Sequence, residues 1–282
     1  MIHSIENEQI RVSVKEFGAE LTGFYDKENS FEYLWQGDPA VWYGQSPVLF
    51  PVIGRLKDDG YTLGGVRYQC PKHGVARKRP FALAEKGENK LVFLQTEDEN
   101  TLKSFPYHYK LYEIFTIEGR KLTTELRVEN TDDKIMYFGL GAHPGFNCRI
   151  GDTIEFSQNE TLDSEMIDME LCLRKTEKFP VLRNENTITV TEHIFDNDAL
   201  ILKDIRSESL TLHAFGGTRD VRFTFSSPYL GIWAKPGAPY VCLEPWCGVD
   251  DSTVSDGIFE TKEGNHRIGP GERFSLIWTA EI

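Results

Sequence analysis

The sequence predicts an all-β fold, a large antiparallel β-sandwich with only a few short helices. The main observation is a two-residue alternation of apolar and polar side chains, which places one face of each strand on a core and the other nearer to water. Turn-forming residues separate the alternating stretches. Apolar periodicity typical of helices is weak along the chain. Together these three observations favour a single large sandwich.

Four stretches carry the alternation most clearly. Their inward-facing positions are, in chain order, Ile10, Val12 and Val14; Leu122, Thr124, Leu126 and Val128; Val221, Phe223 and Phe225; and Phe274, Leu276, Trp278, Ala280 and Ile282. Turn signals lie between them, as at Gly216-Gly217 and Pro270-Gly271. The best helical candidates, residues 100–103 and 196–200, are both short. No linker or repeat divides the chain, so we expect one domain over residues 1–282.

The charge and the cysteines limit the classes of partner and the compartment. The formal net charge is −13, which disfavours binding to nucleic acid or to an anionic membrane. The amino terminus lacks the basic start and apolar segment of a secretory signal, and no stretch approaches the length of a membrane span. Five scattered cysteines favour free buried thiols in a reducing cytosol. We expect a cytoplasmic protein that is a monomer or a homodimer.

Four segments interrupt the alternation with polar side chains among glycines and prolines. In the first, residues 51–55, Arg55 follows Gly54 and presents a planar fork of donors, although a surface arginine after a strand is the commoner case. In the second, residues 71–77, His73 precedes a glycine in a basic stretch that ends at Arg77. This histidine is either a donor or acid near a polar ligand or a structural, solvated residue.

The third and fourth segments hold the strongest candidates. The third, residues 139–147, follows an apolar strand and holds His143 on a turn stiffened by proline, while Phe146 either stacks on a ligand or packs into the core. The fourth, residues 240–248, places Glu244 inside an apolar run. A carboxylate there is desolvated, which raises its pKa and makes it a candidate base. Trp246 lies on the same face of that strand unless Pro245 interrupts it.

The remaining polar candidates are weaker. Asp198 is one, but a helix cap or a turn explains an aspartate there equally well. No histidine pair at metal-binding spacing, no acidic cluster, no phosphate-binding loop and no dinucleotide-binding glycine pattern is present. We therefore expect neither a metal site nor a cofactor.

Taken in order, these segments resemble the aldose 1-epimerase (galactose mutarotase) superfamily, and most of all its LacX-like bacterial branch. No single motif decides the resemblance, which spans nearly the whole chain. The stretches that carry it are residues 17–21, 33–37, 47–55, 73–77, 143–146 and 242–246 and the turn at 270–272.

The resemblance implies a β-supersandwich with a cleft on one sheet and a small sugar as the partner. It implies Glu244 as the general base, His143 as the general acid and His73 as a group that helps hold the ring oxygen. Arg55 and Asp198 match the arginine and aspartate that complete substrate binding in the family. Further expected substrate contacts are Arg77, Trp246 and Phe146. Arg77 also resembles an arginine of the related hexose-6-phosphate mutarotases.

The expected function is mutarotation of a hexose. A base takes the proton of the anomeric hydroxyl, an acid protonates the ring oxygen, and no cofactor takes part. We expect an ionised Glu244 beside a protonated His143 at the start, and a neutral hexose, because Asp58 and Asp59 would repel a phosphate.

Three alternatives stay open. The first is a hexose-6-phosphate mutarotase that binds phosphate through Arg55, Lys57 or Arg77. The second is a non-catalytic carbohydrate-binding or regulatory protein of the same fold. The third is a glycoside hydrolase that uses Glu244 and Asp198 as paired carboxylates.

Overall fold

The computed structural model describes residues 1–282 and is built almost entirely of β-strands. The strands are β1 (Ile2–Glu6), β2 (Ile10–Lys15), β3 (Leu21–Asp26), β4 (Phe31–Glu32), β5 (Val48–Leu49), β6 (Gly60–Leu63), β7 (Val66–Gln69), β8 (Ala82–Lys86), β9 (Lys90–Thr96), β10 (Tyr109–Glu118), β11 (Lys121–Asn130), β12 (Met136–Phe138), β13 (Leu140–Ala142), β14 (Gly145–Asn147), β15 (Thr153–Asp168), β16 (Leu173–Thr189), β17 (Leu200–Lys203), β18 (Ser209–Ala214), β19 (Arg219–Phe225), β20 (Tyr229–Trp233), β21 (Tyr240–Cys247), β22 (His266–Ile268) and β23 (Arg273–Glu281). The helices are two 3-10 turns (Lys57–Asp59 and Ala76–Lys78) and α1 (Thr101–Ser104). No helix has both the length and the apolar character needed to cross a membrane.

Two antiparallel sheets form the body of the protein. The larger has nine strands in the order β16-β15-β18-β19-β23-β11-β10-β9-β8. The second has six, in the order β17-β20-β21-β13-β5, with β14 also paired to β21. A four-stranded sheet (β1 to β4) and two short pairs (β6 with β7, β12 with β22) complete the fold. The predicted all-β antiparallel sandwich is confirmed.

The alternation in the sequence corresponds to burial in the strands. Along β11, every second residue from Leu122 is buried, and the residues between are partly exposed. The same holds in β19 and β23, where Phe223 and Trp278 stack with ring centroids 5.4 Å apart. These inward faces belong to one cluster of 64 buried apolar residues. Burying a large apolar side chain contributes about 1.5–3 kcal/mol, so this cluster is the main source of stability.

One of the two predicted helices forms and the other does not. The candidate at residues 100–103 corresponds to α1. The candidate at 196–200 is wrong, because these residues form an irregular turn that leads into β17. In that turn the amide of Asp198 donates to the carbonyl of Phe195 at 3.0 Å, and Asp198 has a φ of +70°, outside the helical region.

A long hairpin, β15 with β16, links the two sheets. Only Thr153 to Phe156 of β15 pair with β18, and several register shifts bend the rest of the hairpin away. Its far half lies against the six-stranded sheet, where the amide of Ile201 in β17 donates to Ser164 Oγ at 2.8 Å. The turn at its end, residues 169–172, therefore reaches the cavity that holds the candidate active site.

Candidate active site

A cavity of about 400 Å³ opens on the six-stranded sheet. Six of the eight residues that the sequence singled out line it: His73, Arg77, His143, Asp198, Glu244 and Trp246. They come from four separate parts of the chain, which the fold brings to one place. The volume and the mixture of aromatic and charged walls suit a small polar ligand.

A buried histidine–glutamate pair lies in the cavity wall. Glu244 is 1% exposed on β21, whose eight residues are all buried, and His143 is 7% exposed. His143 Nε2 and Glu244 Oε2 are 3.3 Å apart. Burial raises the pKa of Glu244 well above its usual range, and the Asp198 and Asp250 carboxylates act in the same direction. Burial also lowers the pKa of His143 to about 3, assisted by Arg77 and Lys72.

These shifts bear on where the pair holds its proton. The pair has two arrangements that contain the same single proton. In one, the glutamate is ionised and the histidine is protonated; in the other, the glutamate is protonated and the histidine is neutral. Burial favours the neutral arrangement, because isolated charges are costly in an apolar interior. The ionised starting pair that the sequence led us to expect is therefore the higher-energy arrangement in the protein alone. It differs from the favoured one by a single proton transfer between the two side chains.

Two tryptophans that the sequence analysis missed hold the His143 ring. Trp42 stacks on the imidazole with centroids 5.1 Å apart, and Trp233 meets it edge-on at 5.6 Å. Both line the cavity. Gly145 leaves room for the first contact, since a Cβ there would lie at a tight 3.1 Å from the Trp42 ring. Neither tryptophan lies near a motif, so no local signal distinguished them from core residues.

The backbone determines the tautomer of His73. The amide of Gly54 donates to His73 Nδ1 at 3.2 Å, and the amide of His73 donates back to the Gly54 carbonyl at 2.8 Å. Burial and the nearby Arg77 charge lower the pKa of His73, so the ring is neutral. Its proton therefore lies on Nε2, and the ring is a hydrogen-bond donor there. The His73 and His143 rings are 5.9 Å apart and nearly perpendicular.

Asp250 is a further cavity residue that the sequence analysis missed. Gly54 makes room for it, because a Cβ at that glycine would lie 1.7 Å from Asp250 Oδ1. Burial raises the pKa of Asp250, while Lys72 and Lys262 oppose that shift. Its position just after the fourth polar segment could have identified it. The cavity also contains Lys72 and Lys235, so charges of both signs face the ligand space.

Trp246 extends across two glycines of neighbouring strands. A Cβ on Gly231 in β20 would lie 2.4 Å from its ring, and one on Gly141 in β13 would lie 2.8 Å away. β21 continues through Pro245, which pairs with Leu230, so the proline does not interrupt the strand. As expected for an uninterrupted strand, Glu244 and Trp246 both line the cavity. The indole therefore forms a flat apolar part of the cavity surface.

Several buried polar atoms around the cavity have no hydrogen-bond partner in the protein. They are Arg77 Nε, His143 Nδ1 and Trp246 Nε1. Buried polar atoms are nearly always paired, so three unpaired ones around one cavity indicate a site that binds a polar ligand. His143, Cys242 and Glu244 also offer ligand atoms within 4.8 Å of one another, a set that could hold a thiophilic divalent ion.

Two predicted residues, Arg55 and Phe146, do not line the cavity. Nε and Nη2 of Arg55 donate to the Asp59 carboxylate at 2.8 and 3.0 Å, and Nη1 donates to the Leu171 carbonyl at 2.9 Å. Phe146 is fully buried and packs on Phe223 with ring centroids 6.0 Å apart. The alternatives noted for them, a surface arginine and a core phenylalanine, describe these positions.

Comparison with known proteins identifies the family. The family model described as aldose 1-epimerase matches residues 1–276. The chain belongs to the aldose 1-epimerase family. Protein LacX of Lactococcus lactis is 31% identical to it, over 96% of this chain and 95% of LacX. The predicted resemblance to the LacX-like branch is thus confirmed.

Solved structures of the same family share the fold. A galactose mutarotase-related enzyme from Lactobacillus acidophilus is 28% identical, with a TM-score of 0.94 over 100% of this chain and 97% of that one. A galactose mutarotase-like protein from Lactobacillus casei is 29% identical, with a TM-score of 0.93 over 100% and 99%. Family membership and these neighbours support a carbohydrate epimerase or mutarotase.

Proposed function

We propose that this aldose 1-epimerase family member is a mutarotase that interconverts the α and β anomers of a neutral hexose. The observation that carries the proposal is the buried contact of 3.3 Å between His143 and Glu244 in the wall of the cavity. Mutarotation moves protons at two oxygens, the anomeric hydroxyl and the ring oxygen. Both are bonded to the same carbon, so the acid and the base that serve them need to stand close together.

In the proposed reaction, the pair supplies one base and one acid. Transfer of the shared proton from Glu244 to His143 gives a carboxylate and an imidazolium. The carboxylate accepts the proton of the anomeric hydroxyl while the imidazolium protonates the ring oxygen, and the bond between that oxygen and the anomeric carbon breaks. Rotation about the next carbon–carbon bond and reversal of the proton transfers close the ring as the other anomer. No net proton is gained or lost.

His73 and Trp246 take binding roles in this proposal. The Nε2–H of His73 donates to a sugar oxygen, as the hydrogen bond from Gly54 to its Nδ1 requires of the neutral ring. The Trp246 indole offers an apolar surface for a sugar face and an unpaired N–H. Asp198 and Asp250 are two of the cavity carboxylates able to accept bonds from sugar hydroxyls.

A hexose 6-phosphate is the second candidate substrate, and a specific observation favours it. Lys72, Arg77 and Lys235 line the cavity and could attract a phosphate. Of the three basic residues named from the sequence, only Arg77 is among them, since Arg55 pairs with Asp59 and Lys57 Nζ donates to the Ser255 carbonyl at 3.1 Å. We favour the neutral hexose because carboxylates line the same cavity, three of them aspartates: Asp196, Asp198 and Asp250.

Polarimetry on freshly dissolved α-anomers of glucose, galactose and their 6-phosphates tests the proposal. We expect catalysis above the spontaneous rate for at least one neutral hexose. A catalytic efficiency more than tenfold higher for a 6-phosphate would replace the neutral hexose with a phosphosugar. Binding of a hexose without acceleration would favour the carbohydrate-binding alternative, and release of sugar from an aryl glycoside would favour the hydrolase.

A further inference from the structure

We propose that the turn of the long β15–β16 hairpin is a specificity-determining wall of the cavity, and that Arg55 holds this wall in place instead of binding sugar itself. The inference deepens the proposed mutarotase function, on which its kinetic part rests. We call residues 167–172 the hairpin tip.

The hairpin tip contributes apolar side chains to the cavity. Ile167 and Met169 both line it. Ile167 is buried in a small cluster with Ile201 and Trp246, which fixes the base of the tip against the sheet that holds the catalytic pair. Met169 is 59% exposed, so it stands at the mouth of the cavity, between the ligand space and the solvent. A flexible, unbranched side chain there can pack against substrates of more than one shape.

The Arg55 side chain ties this tip to the first polar loop. Its side chain joins two elements, the Asp59 carboxylate in the first polar loop and the Leu171 carbonyl in the hairpin tip. The guanidinium also lies beside the Cys172 thiol. Its main chain is tied to the segment that follows β21, because the amide of Asp251 donates to the Arg55 carbonyl at 3.0 Å. With its donors directed at these groups, the side chain is not presented to a sugar.

A second arginine anchors the hairpin just behind the tip. Arg174 is 3% exposed, and its Nε donates to the Asp250 carbonyl at 2.8 Å. It also forms ion pairs with Glu165 and, at 2.7 Å, with Glu263. The base of the tip is therefore fixed by a network centred on a buried arginine. The outer turn, in contrast, is fixed to the protein body through Arg55, so loss of Arg55 should loosen residues 169–172 without unfolding the hairpin.

Cys172 provides a reporter for this loosening that does not depend on enzymatic activity. It is the single cysteine of the chain that is not buried. The first experiment measures the rate at which dithiobisnitrobenzoate labels this thiol in the native protein. Arg55→Met should raise that rate about fivefold or more. Loss of a positive charge beside a thiol would by itself slow such a reaction, so acceleration reports a more open tip.

Arg79→Met is the matched control. Arg79 likewise joins a carboxylate, Asp98, at 2.6 Å to a backbone carbonyl, that of Thr96, at 3.2 Å, but does not line the cavity. Cys172 in the Arg79→Met variant should be labelled at the same rate as in the native protein. An unchanged labelling rate in Arg55→Met would overturn the anchoring role, whether or not the protein proves to be a mutarotase.

The second experiment is a double-mutant cycle on mutarotation of glucose and galactose. Arg55→Met and Met169→Ala should each raise KM on the order of tenfold, with kcat and its pH profile nearly unchanged. The double variant should be no worse than the poorer single variant, because both substitutions remove the same wall. If the two effects multiply, or if kcat falls with Arg55→Met alone, Arg55 acts on the sugar directly and the inference is overturned.

The same cycle tests specificity. Met169→Ala should raise the efficiency for a reducing disaccharide relative to its monosaccharide, since the second sugar must leave the cavity past this side chain. An unchanged ratio would refute the specificity role of the tip even if the labelling experiment supports its anchoring by Arg55. Absence of any catalysis by the native protein would instead count against the proposed function, and the labelling experiment would still decide the anchoring.

Discussion

Replacing Glu244 by glutamine should reduce activity and increase stability at the same time. The amide keeps the shape of the carboxyl group and removes its basicity, so mutarotation should fall by about 10²–10⁴-fold. The effect on stability follows from burial. Glu244 is 1% exposed and its pKa is raised well above its usual range, so above pH 4 to 5 the native protein must either keep a proton on it or bury a charge.

The size of the stability effect depends on pH in a defined direction. In the unfolded chain a glutamate ionises near its ordinary pKa of about 4.3. Because the pKa of Glu244 is raised in the folded state, its contribution to the unfolding free energy is fully present below the unfolded pKa. This contribution is lost as the pH rises towards the folded pKa. The loss is about 1.4 kcal/mol for each unit between the two values. Glutamine has no such loss, so the variant should gain stability over the native protein as the pH rises from 4.

Urea denaturation at pH 4, 6 and 8 measures this difference. The gain in unfolding free energy should be near zero at pH 4 and positive at pH 8. Glu8→Gln is the control, since Glu8 is exposed and forms no ion pair, and its effect should not vary in this way. A Glu244→Gln protein with a pH-independent stability difference would show that Glu244 ionises as freely as in the unfolded chain. A folded variant with native activity would remove Glu244 from the mechanism.

Three further predictions follow from the site. The mutarotation rate should have a bell-shaped dependence on pH. The acid limb should lie well below pH 6.5, where the His143–Glu244 pair gains a second proton, and the alkaline limb well above pH 4.5, where the pair loses its only proton. His143→Asn should reduce the rate at least about 10²-fold and change this profile, and an unchanged profile would identify another acid. Activity should survive prolonged chelation, whereas added Zn²⁺ should inhibit the enzyme by binding to His143, Cys242 and Glu244. If Zn²⁺ inhibits a Cys242→Ala variant as strongly as the native protein, the thiol is not a ligand. Gly54→Ala should destabilise the fold by about 1–3 kcal/mol in thermal unfolding, because Gly54 has a φ of +61° and its Cβ would collide with Asp250; a native melting temperature would contradict this.

The fold, and the candidate residues that meet in the cavity, could be predicted from the sequence mainly through local features. Alternation of apolar residues is a property of each strand by itself, and it reported the strands directly. Glu244 could be found because a carboxylate in an apolar run is unusual wherever the strand lies. His143 and His73 were found through their glycine and proline neighbours together with the order of the segments.

The parts that could not be predicted depend on long-range packing. Trp42 stacks on the His143 ring in space that Gly145 leaves open, a contact between residues about a hundred positions apart. Arg55 was expected at the sugar, but Asp59 and the Leu171 carbonyl, 116 residues away, hold its side chain. The alternation around Phe146 could not distinguish a core position from a cavity position, because both require an apolar side chain.

The two glycines beneath Trp246 also give the site an adjustable shape. Gly231 and Gly141 belong to strands on either side of β21, and neither carries any atom of the acid–base pair. A single methyl group added at either position would lie within 3 Å of the indole and force it to move, which would change the cavity wall. Selection, or a protein engineer, can thus vary which sugars fit by changing these two glycines while His143 and Glu244 themselves stay the same.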